Sequence, residues 1–283
     1  MPQPPKILVF DSGLGGLTVL AEAMLLRPDG LFLYAADDAG FPYGLLSEDA
    51  LVARVNLVME RLIGRFAPDL VVIACNTAST LVLPHLRARH PQLPFVGTVP
   101  AVKPAAALSR SQMISVLATP GTVTRDYTHD LVRTYAAHCE VTLVGSDRLA
   151  GLAEDFMKGE AVADAAIASE IAPCFTANGA ARTDCIVLAC THYPLLLAQF
   201  ERLAPWPVEW IDPAPAIARR VDHVLSEDLG LPLGAAAGLE ATPAGAHAAL
   251  FTSAIPPGPA LEDALRQRGL AKIILESIPL DRT

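Results

Sequence analysis

Short, continuous apolar runs alternate with longer segments of helical periodicity along most of this chain, and this alternation limits the fold more than any other feature. Strands that are buried on both faces read as unbroken apolar runs. Such runs, separated by helix-like segments, predict βαβ units and largely parallel sheets, so the fold class is α/β. The predicted strands are KILVF (6–10), LFLYAA (31–36), LVVIA (70–74), FVGTV (95–99), MISVLA (113–118), VTLVG (141–145), CIVLA (185–189) and VEWI (208–211). The predicted helices include LTVLAEAMLL, EDALVARVNLVMERLIGRF, RDYTHDLVRTYAAH and AVADAAIASEIAPCF.

A strand that runs into a cysteine and then into polar residues occurs twice. The first copy is VVIACNTAST (71–80) and the second is IVLACTHYPL (186–195), at an offset of 190 − 75 = 115 residues. At this offset three further pairs match: Asp69 with Asp184, Val72 with Val187, and Ala74 with Ala189. ILVFDSGLGG has a weaker counterpart in ISVLATPGTV, where Ser12 matches Thr119 at an offset of 107. These repeats predict two similar α/β lobes.

The predicted lobes are pseudo-symmetric, and each is a mostly parallel sheet flanked by helices. Residues 1–98 plus 211–283 form the first lobe, residues 99–210 form the second, and the active site is expected in the cleft between them. Ligands of such sheets gather at the carboxyl ends of the strands. The tail beyond Gly230 is rich in Ala, Gly and Pro, which predicts loops around short helices.

Composition and charge exclude several classes of function. The 283 residues carry a net charge of −9 without a Lys/Arg cluster, which argues against nucleic acid as a partner. Hydrophobic residues make up 52% of the chain, but no apolar run reaches the roughly 18 residues that span a bilayer, so no membrane is expected. The start, MPQPPKILVF, does not read as a signal peptide. Five cysteines without a CxxC pair are typical of free thiols in a reducing cytosol.

Cys75 and Cys190 are candidate catalytic bases. A free thiol has a pKa of about 8.5, so each thiol needs help to act as a base near neutral pH. Asp11, at the end of the first strand, and His192, two residues after Cys190, are the available helpers. An ordinary nucleophilic cysteine needs one thiol and one base. Two assisted thiols on opposed lobes instead suit the removal of a proton from one face of a carbon and the delivery of another to the opposite face.

Polar residues beside these strand ends are suited to holding an amino acid. Helix N-termini that follow the strands offer unpaired N–H groups, which bind carboxylates without arginine. Cys139, Cys174 and Cys185 are interpreted as packing residues, because free cysteine is often buried as a small hydrophobe. The hydroxyl and amide groups come from Ser12, Asn76, Thr77, Thr119 and Thr191.

Five motifs together resemble the cofactor-independent glutamate racemases of the aspartate/glutamate racemase family. They are DSGLGG (11–16), PYG (42–44), CNTA (75–78), GTV (121–123) and CTHYPLL (190–196), and LFTSAIPP resembles that family's C-terminal segment. The resemblance implies that Cys75, assisted by Asp11, exchanges the proton on the D side of the substrate. It implies that Cys190, assisted by His192, serves the L side, and that Glu154 orients this histidine. The implied substrate contacts are Asp11, Ser12, Pro42, Tyr43, Gly44, Asn76, Thr77, Thr119, Thr191 and His192.

The function implied by the resemblance is the interconversion of L- and D-glutamate, which supplies D-glutamate for peptidoglycan and the cell wall. It implies a cytoplasmic isomerase with a small amino-acid substrate, no cofactor and no metal. A homodimer is compatible with the sequence, which does not fix the oligomeric state. Three features depart from the family pattern: Gly40 before the PYG motif, Ser146 in place of a Cys-Pro start, and the Ala/Gly-rich region 230–250.

Other interpretations remain open at this point. An aspartate racemase or a related member of the superfamily would carry the same paired motifs, a cysteine hydrolase would use one thiol, and a binding module would use neither. The spacing of Cys190 and His192 resembles part of a metal site, although zinc needs three or four ligands. DSGLGG followed by Asp37 resembles a dinucleotide fingerprint that lacks its third glycine. Asp11 could cap a helix, and Glu154 could be a solvated acid.

Overall fold

The computed structural model describes residues 3–233, 242–243 and 245–280. The chain divides into two compact units, Met1–Thr98 with Ala214–Thr283, and Val99–Pro213. The predicted boundary put residues 211–213 in the first lobe. They belong here to the second unit, because the strand Glu209–Ile211 pairs with Cys185–Ala189.

The elements alternate as the apolar pattern predicts. The strands are β1 Lys6–Asp11, β2 Leu31–Ala36, β3 Leu70–Ile73, β4 Phe95–Gly97, β5 Met113–Ala118, β6 Glu140–Gly145, β7 Ala177–Asn178, β8 Ala181–Arg182, β9 Cys185–Ala189, β10 Glu209–Ile211, β11 Ala248–Phe251 and β12 Lys272–Leu275. The α-helices are α1 Leu17–Leu26, α2 Glu48–Phe66, α3 Asn76–Arg89, α4 Val102–Leu108, α5 Pro120–Val123, α6 Asp126–Tyr135, α7 Leu149–Met157, α8 Asp164–Ile171, α9 Leu197–Leu203, α10 Ala214–His223 and α11 Pro259–Gln267. Short 3₁₀ turns cover Tyr43–Leu45, Ala172–Cys174 and Tyr193–Leu196, and a π-helical turn covers Val224–Asp228.

Each unit contains its own parallel sheet. The first sheet has the order β12-β11-β2-β1-β3-β4 and the second has the order β10-β9-β5-β6, while β7 and β8 form a small antiparallel pair. Strands β1, β3, β5 and β9 are buried along nearly their whole length, as their unbroken apolar runs predict. The predicted α/β class, with parallel sheets flanked by helices, is confirmed.

The strand pairing repeats between the units residue by residue. In the first sheet Phe10 of β1 lies opposite Ile73 of β3, and in the second Leu117 of β5 lies opposite Leu188 of β9. These pairs are separated by 117 − 10 = 107 and 188 − 73 = 115 positions, which are the two offsets read from the sequence. Strand β9 therefore occupies in its sheet the place that β3 occupies in the first.

The ends and the buried face of helix α2 in the first unit follow from its local sequence. Its start is capped by Ser47, whose hydroxyl oxygen accepts a hydrogen bond from the backbone N–H of Ala50 at 3.3 Å. Ala67 ends the helix in the left-handed conformation, with φ of 44°. The buried face follows the helical period and includes a charged residue; it consists of Leu51, Arg54, Val55, Val58, Met59 and Leu62.

The prediction for the tail was wrong in part. Residues beyond Gly230 contribute β11 and β12, which extend the first sheet from β2, in addition to helix α11. Each of these strands is only four residues long, and the surrounding Ala, Gly and Pro residues mask the strand pattern. The part of the tail prediction that concerns residues 234–241 and 244 lies outside the described residues. Among the described residues, no helix is both long and apolar enough to cross a membrane.

Candidate active site

The first group of predicted site residues lies at the carboxyl end of the first sheet. Asp11 is the last residue of β1, and Cys75 follows the neighbouring strand β3. The Cys75 Sγ lies 3.7 Å from the Ser12 Oγ, and both side chains are buried. The register of β1 and β3 thus brings the loop that begins at Asp11 to the thiol.

Cys75 is also the residue that precedes helix α3. Asn76 and Thr77 open this helix, and both are buried. Asn76 is 2% exposed, and neither the nitrogen nor the oxygen of its side-chain amide has a hydrogen-bond partner among the described residues. Buried amides are almost always satisfied in folded proteins, so this pair of groups is suited to a bound polar ligand.

The glycine loop after β1 is packed closely against the strand ends. The backbone N–H of Gly16 donates to Asp11 Oδ2 at 2.8 Å, so Asp11 contributes to the start of α1 as its alternative interpretation suggested. A Cβ atom added at Gly16 would lie 2.9 Å from the Cβ of Asp11 and 3.0 Å from the Cβ of Ala74. The tyrosine hydroxyl of Tyr34 donates to the carbonyl of Gly13 at 2.5 Å.

We expect Gly16→Ala to destabilise the first unit by about 1–3 kcal/mol and to lower activity. The backbone of Gly16 has φ of −63°, which alanine adopts readily, so the cost is steric: the new methyl group displaces Asp11. Urea unfolding and a rate measurement check this result. The matched control is Gly64→Ala in α2, where an added Cβ meets nothing within 4 Å and helix propensity predicts a gain of up to about 1 kcal/mol. Equal stability of both variants would contradict the steric argument.

The PYG segment is held by a buried ion pair. Pro42 and Gly44 are exposed, whereas Tyr43 is buried and its hydroxyl donates to Asp37 Oδ2 at 2.5 Å. Arg54 contacts the same carboxylate through Nε at 2.8 Å and Nη2 at 2.5 Å. Burial, followed by the charge of Asp37, raises the pKa of Tyr43 well above its ordinary value, and the nearby Cys75 contributes to the rise. The tyrosine therefore stays protonated.

Asp37 is a residue whose role the sequence did not reveal. Besides Arg54 and Tyr43, its carboxylate accepts a hydrogen bond from the hydroxyl of Thr252 at 2.6 Å. Arg54 in turn donates to the backbone carbonyl groups of Ile278 and Pro279. The carboxylate is thus engaged inside the protein, which removes the acid that a dinucleotide ribose would need. The sequence did carry a signal for this ion pair: Arg54 lies on the apolar face of a predicted helix.

The second group of site residues lies at the carboxyl end of the second sheet. The Cys190 Sγ lies 3.9 Å from Nδ1 of His192, and Nε2 of His192 lies 2.9 Å from Oε1 of Glu154. All three side chains are buried, so Glu154 is not the solvated acid of the alternative interpretation. A thiol, an imidazole and a carboxylate in this order form a path along which a proton can leave the thiol.

Helix α7 carries Glu154 to this position. The hydroxyl of Ser146 accepts a hydrogen bond from the first backbone N–H of α7, that of Leu149, at 3.1 Å. It also donates to Glu170 Oε2 at 2.6 Å. Ser146, a departure from the family pattern, therefore stabilises the start of this helix through these two hydrogen bonds. The ammonium group of Lys158, which sequence reasoning missed, lies 3.1 Å from Oε2 of Glu154.

The two predicted threonines of the second unit lie beside this path. Thr191, which lies between Cys190 and His192 in the sequence, is buried. Thr119 follows β5, and its hydroxyl shares a hydrogen bond of 3.0 Å with that of Thr122, within the GTV motif. Tyr193 is fully buried; burial first and Cys190 second raise the pKa of its hydroxyl well above the ordinary value.

The remaining cysteines differ from this pair. Cys174 and Cys185 are buried in the second unit, and burial raises the pKa of each to about 12. Burial also raises the pKa of Cys139. Such thiols stay protonated and unreactive, in keeping with their interpretation as packing residues. All five cysteines are free.

Comparison with known proteins adds independent evidence. Residues 20–221 match the sequence profile of the family described as Asp/Glu/Hydantoin racemase. A glutamate racemase from Brucella anthropi is 58% identical over 219 residues, which cover 77% of this chain and 79% of that protein. A glutamate racemase from Rhizobium meliloti is 59% identical over 214 residues, which cover 76% of this chain and 77% of that protein.

Solved structures are similar over almost the whole chain. One is the Escherichia coli glutamate racemase in complex with L-glutamate and the activator UDP-MurNAc-Ala, at 36% identity and a TM-score of 0.86, covering 98% of this chain and 99% of that one. Another is the glutamate racemase of Thermus thermophilus in complex with β-chloro-D-alanine, at 28% identity and a TM-score of 0.68, covering 100% of both chains. The fold described above is thus similar to that of proteins of known structure.

Proposed function

This chain belongs to the Asp/Glu/Hydantoin racemase family, and we propose that it inverts the α-carbon of glutamate with two cysteine bases, Cys75 and Cys190. The family prediction made from the sequence motifs is confirmed. The chain is an amino-acid racemase, an isomerase, and its substrate is the small molecule glutamate. The cysteine mechanism and the roles of individual residues are our proposal.

The observation that carries the proposal is the equivalence of the two thiols. Cys75 follows β3 and Cys190 follows β9, and these strands hold matching places in sheets whose pairing registers repeat. Each thiol is buried and has a polar neighbour, Ser12 in one case and His192 in the other. A racemase that uses no cofactor needs one base for each face of the α-carbon, and two equivalent thiols meet that need.

On the L side we assign Cys190 as the base. Its proton passes toward His192, which becomes an imidazolium held by the carboxylate of Glu154 at 2.9 Å. A carboxylate beside a histidine fixes the ring orientation and stabilises the positive charge that forms on it. The thiolate of Cys190 then removes the α-proton of L-glutamate, and the same thiol returns a proton when the reaction runs backward.

On the D side we assign Cys75, with Asp11 as its helper. Asp11 ends β1 and Cys75 follows the neighbouring strand β3, and the Ser12 hydroxyl, 3.7 Å from Sγ, can donate to the thiolate once it forms. Hydrogen bonding to the charged form of an acid favours that form. In the L-to-D direction Cys75 delivers a proton to the face opposite the one from which Cys190 removed it.

The substrate contacts are proposed from burial and from unsatisfied groups. The Asn76 amide lacks partners among the described residues, and it lies at the N-terminus of α3, where backbone N–H groups favour a carboxylate. For the PYG motif we propose contacts from Pro42, Tyr43 and Gly44; because the Tyr43 hydroxyl is bonded to Asp37, Tyr43 would contact the substrate through its other atoms. The other proposed contacts are Asp11, Ser12, Thr77, Thr119, Thr191 and His192.

The test is a racemisation assay on the purified, reduced protein without any added cofactor and with EDTA present. Chiral chromatography follows L-glutamate and L-aspartate in parallel reactions. We expect D-glutamate to accumulate until the enantiomers are equal, and L-aspartate to react far more slowly. Inversion of aspartate alone would keep the two-thiol chemistry and move the specificity to aspartate. No inversion of either amino acid would contradict the proposal and favour the one-thiol hydrolase.

We further propose a cytoplasmic role in the supply of D-glutamate for peptidoglycan. The support is the similarity to bacterial glutamate racemases, together with five free cysteines, which suit a reducing compartment. A homodimer stays a prediction that gel filtration of the purified protein can test.

A further inference from the structure

The carboxylate of Glu154 is shared between two cations or potential cations of the second unit. Its Oε1 lies 2.9 Å from Nε2 of His192, and its Oε2 lies 3.1 Å from Nζ of Lys158. The Glu154 side chain is 6% exposed, whereas that of Lys158 is 49% exposed. Lys158 therefore approaches a buried acid from the solvent side, on the oxygen that faces away from the histidine.

The position of Lys158 follows from the helix. Lys158 is the C-terminal capping residue of α7 and lies four residues after Glu154, so both side chains share one face of the helix. A cation at a helix C-terminus is also favoured by the helix dipole. Both effects favour an ammonium group at this position.

A surface ion pair is usually worth little, but the burial of Glu154 changes the balance here. A buried carboxylate without compensation is costly. While Cys190 is a thiol and His192 is neutral, the histidine supplies a hydrogen bond but no charge. Lys158 supplies positive charge to Glu154 in that resting state. It also restrains rotation of the carboxylate about its last bond, which is otherwise broad and roughly two-fold.

We propose that Lys158 is a positioning residue for the Cys190 base, acting through Glu154 and His192. By holding Oε2, it keeps Oε1 on the imidazole and so keeps Nδ1 directed at the thiol, 3.9 Å away. This inference rests on the proposed function of Cys190. It predicts that loss of Lys158 slows proton transfer on the L side of the substrate and leaves the Cys75 side unchanged.

The test compares Lys158→Met and Lys158→Arg with wild type. At equilibrium the two enantiomers of glutamate are present in equal amounts, so any variant must lose kcat/KM by the same factor in both directions. For Lys158→Met we expect a two- to fivefold loss. The side-specific readout is the kinetic isotope effect on kcat/KM with α-deuterated substrate. It rises for L-glutamate, because removal of its proton by Cys190 becomes more rate-limiting, and falls for D-glutamate. Lys158→Arg keeps the charge and should restore both values.

Two further variants serve as controls for the isotope effects of Lys158→Met. Lys103→Met removes the same charge from an exposed position on α4, where Nζ lies 5.5 Å from the ring centroid of Tyr135, and it should behave as wild type. Glu154→Gln should shift the isotope effects in the same direction as Lys158→Met, and further.

Unchanged isotope effects in Lys158→Met, equal changes for both enantiomers, or the same shift in Lys103→Met would each overturn the proposal. These results differ from failure of the proposed function, which would appear as a wild-type protein without racemase activity or as an active Cys190→Ser variant.

Discussion

Cys75→Ser and Cys190→Ser should each lose racemase activity by about 10²–10⁴-fold or more, the range expected for removal of an acid–base group. A serine hydroxyl is a far weaker acid than a thiol, so it cannot provide the base at neutral pH. In D₂O each variant should keep one half of the reaction. Cys75→Ser should exchange the α-proton of L-glutamate, and Cys190→Ser that of D-glutamate, which proton NMR can follow for each enantiomer separately.

The matched control for the thiol variants is Cys139→Ser. Cys139 is a partly exposed cysteine of the second unit, and no catalytic role is assigned to it. We expect wild-type activity from this variant. A one-thiol enzyme gives a different pattern: Cys75→Ser would remain largely active while Cys190→Ser lost everything, and that pattern would contradict the two-base account.

Arg54→Met should destabilise the protein by about 3–5 kcal/mol, the cost expected when one partner of a buried ion pair is removed. Asp37 is fully buried, and its carboxylate would lose the two contacts with the guanidinium group. The carbonyl groups of Ile278 and Pro279 would lose their donor as well. Urea unfolding of the purified variants measures the change in the free energy of unfolding.

The matched control for this variant lies on the same helix. Arg65 pairs with Glu276, but its side chain is 50% exposed, so Arg65→Met should cost no more than about 1 kcal/mol. The double variant Arg54→Met with Asp37→Asn removes both charges and should recover part of the loss. If Arg54→Met proved no more costly than Arg65→Met, the ion pair would not hold the PYG segment in the way described.

Most of the fold could be predicted because its central strands are buried on both faces. The runs at 6–10, 31–36, 113–118 and 185–189 are continuous and apolar, and each forms a strand within a residue of its predicted bounds. Strands β11 and β12 could not be found in this way, because β12 is half exposed and both are short runs within an Ala/Gly/Pro-rich tail. Strand β12 is also at the edge of the sheet, and edge strands carry a weaker apolar pattern than central ones.

The residues of the candidate site were also predictable only in part. Cys75 and Cys190 were visible because their context repeats along the chain, and a repeat is a property of sequence. His192 was named as the partner of Glu154 only through the family resemblance, and the partners of Asp37 were not visible, because hydrogen bonds between distant segments depend on tertiary contacts. Lys158 lies four residues after Glu154, which allows a pair on a helix but does not indicate that the acid is buried.

The most direct test of the central claim, that two thiols work on opposite faces of one carbon, is the early time course of L-glutamate racemisation in D₂O. Proton NMR combined with chiral separation reports the α-hydrogen of each enantiomer. The account predicts that D-glutamate carries deuterium from the first turnovers, while the remaining L-glutamate keeps its proton. A single base would return the original proton to the product or exchange both enantiomers alike, and either result would contradict the account.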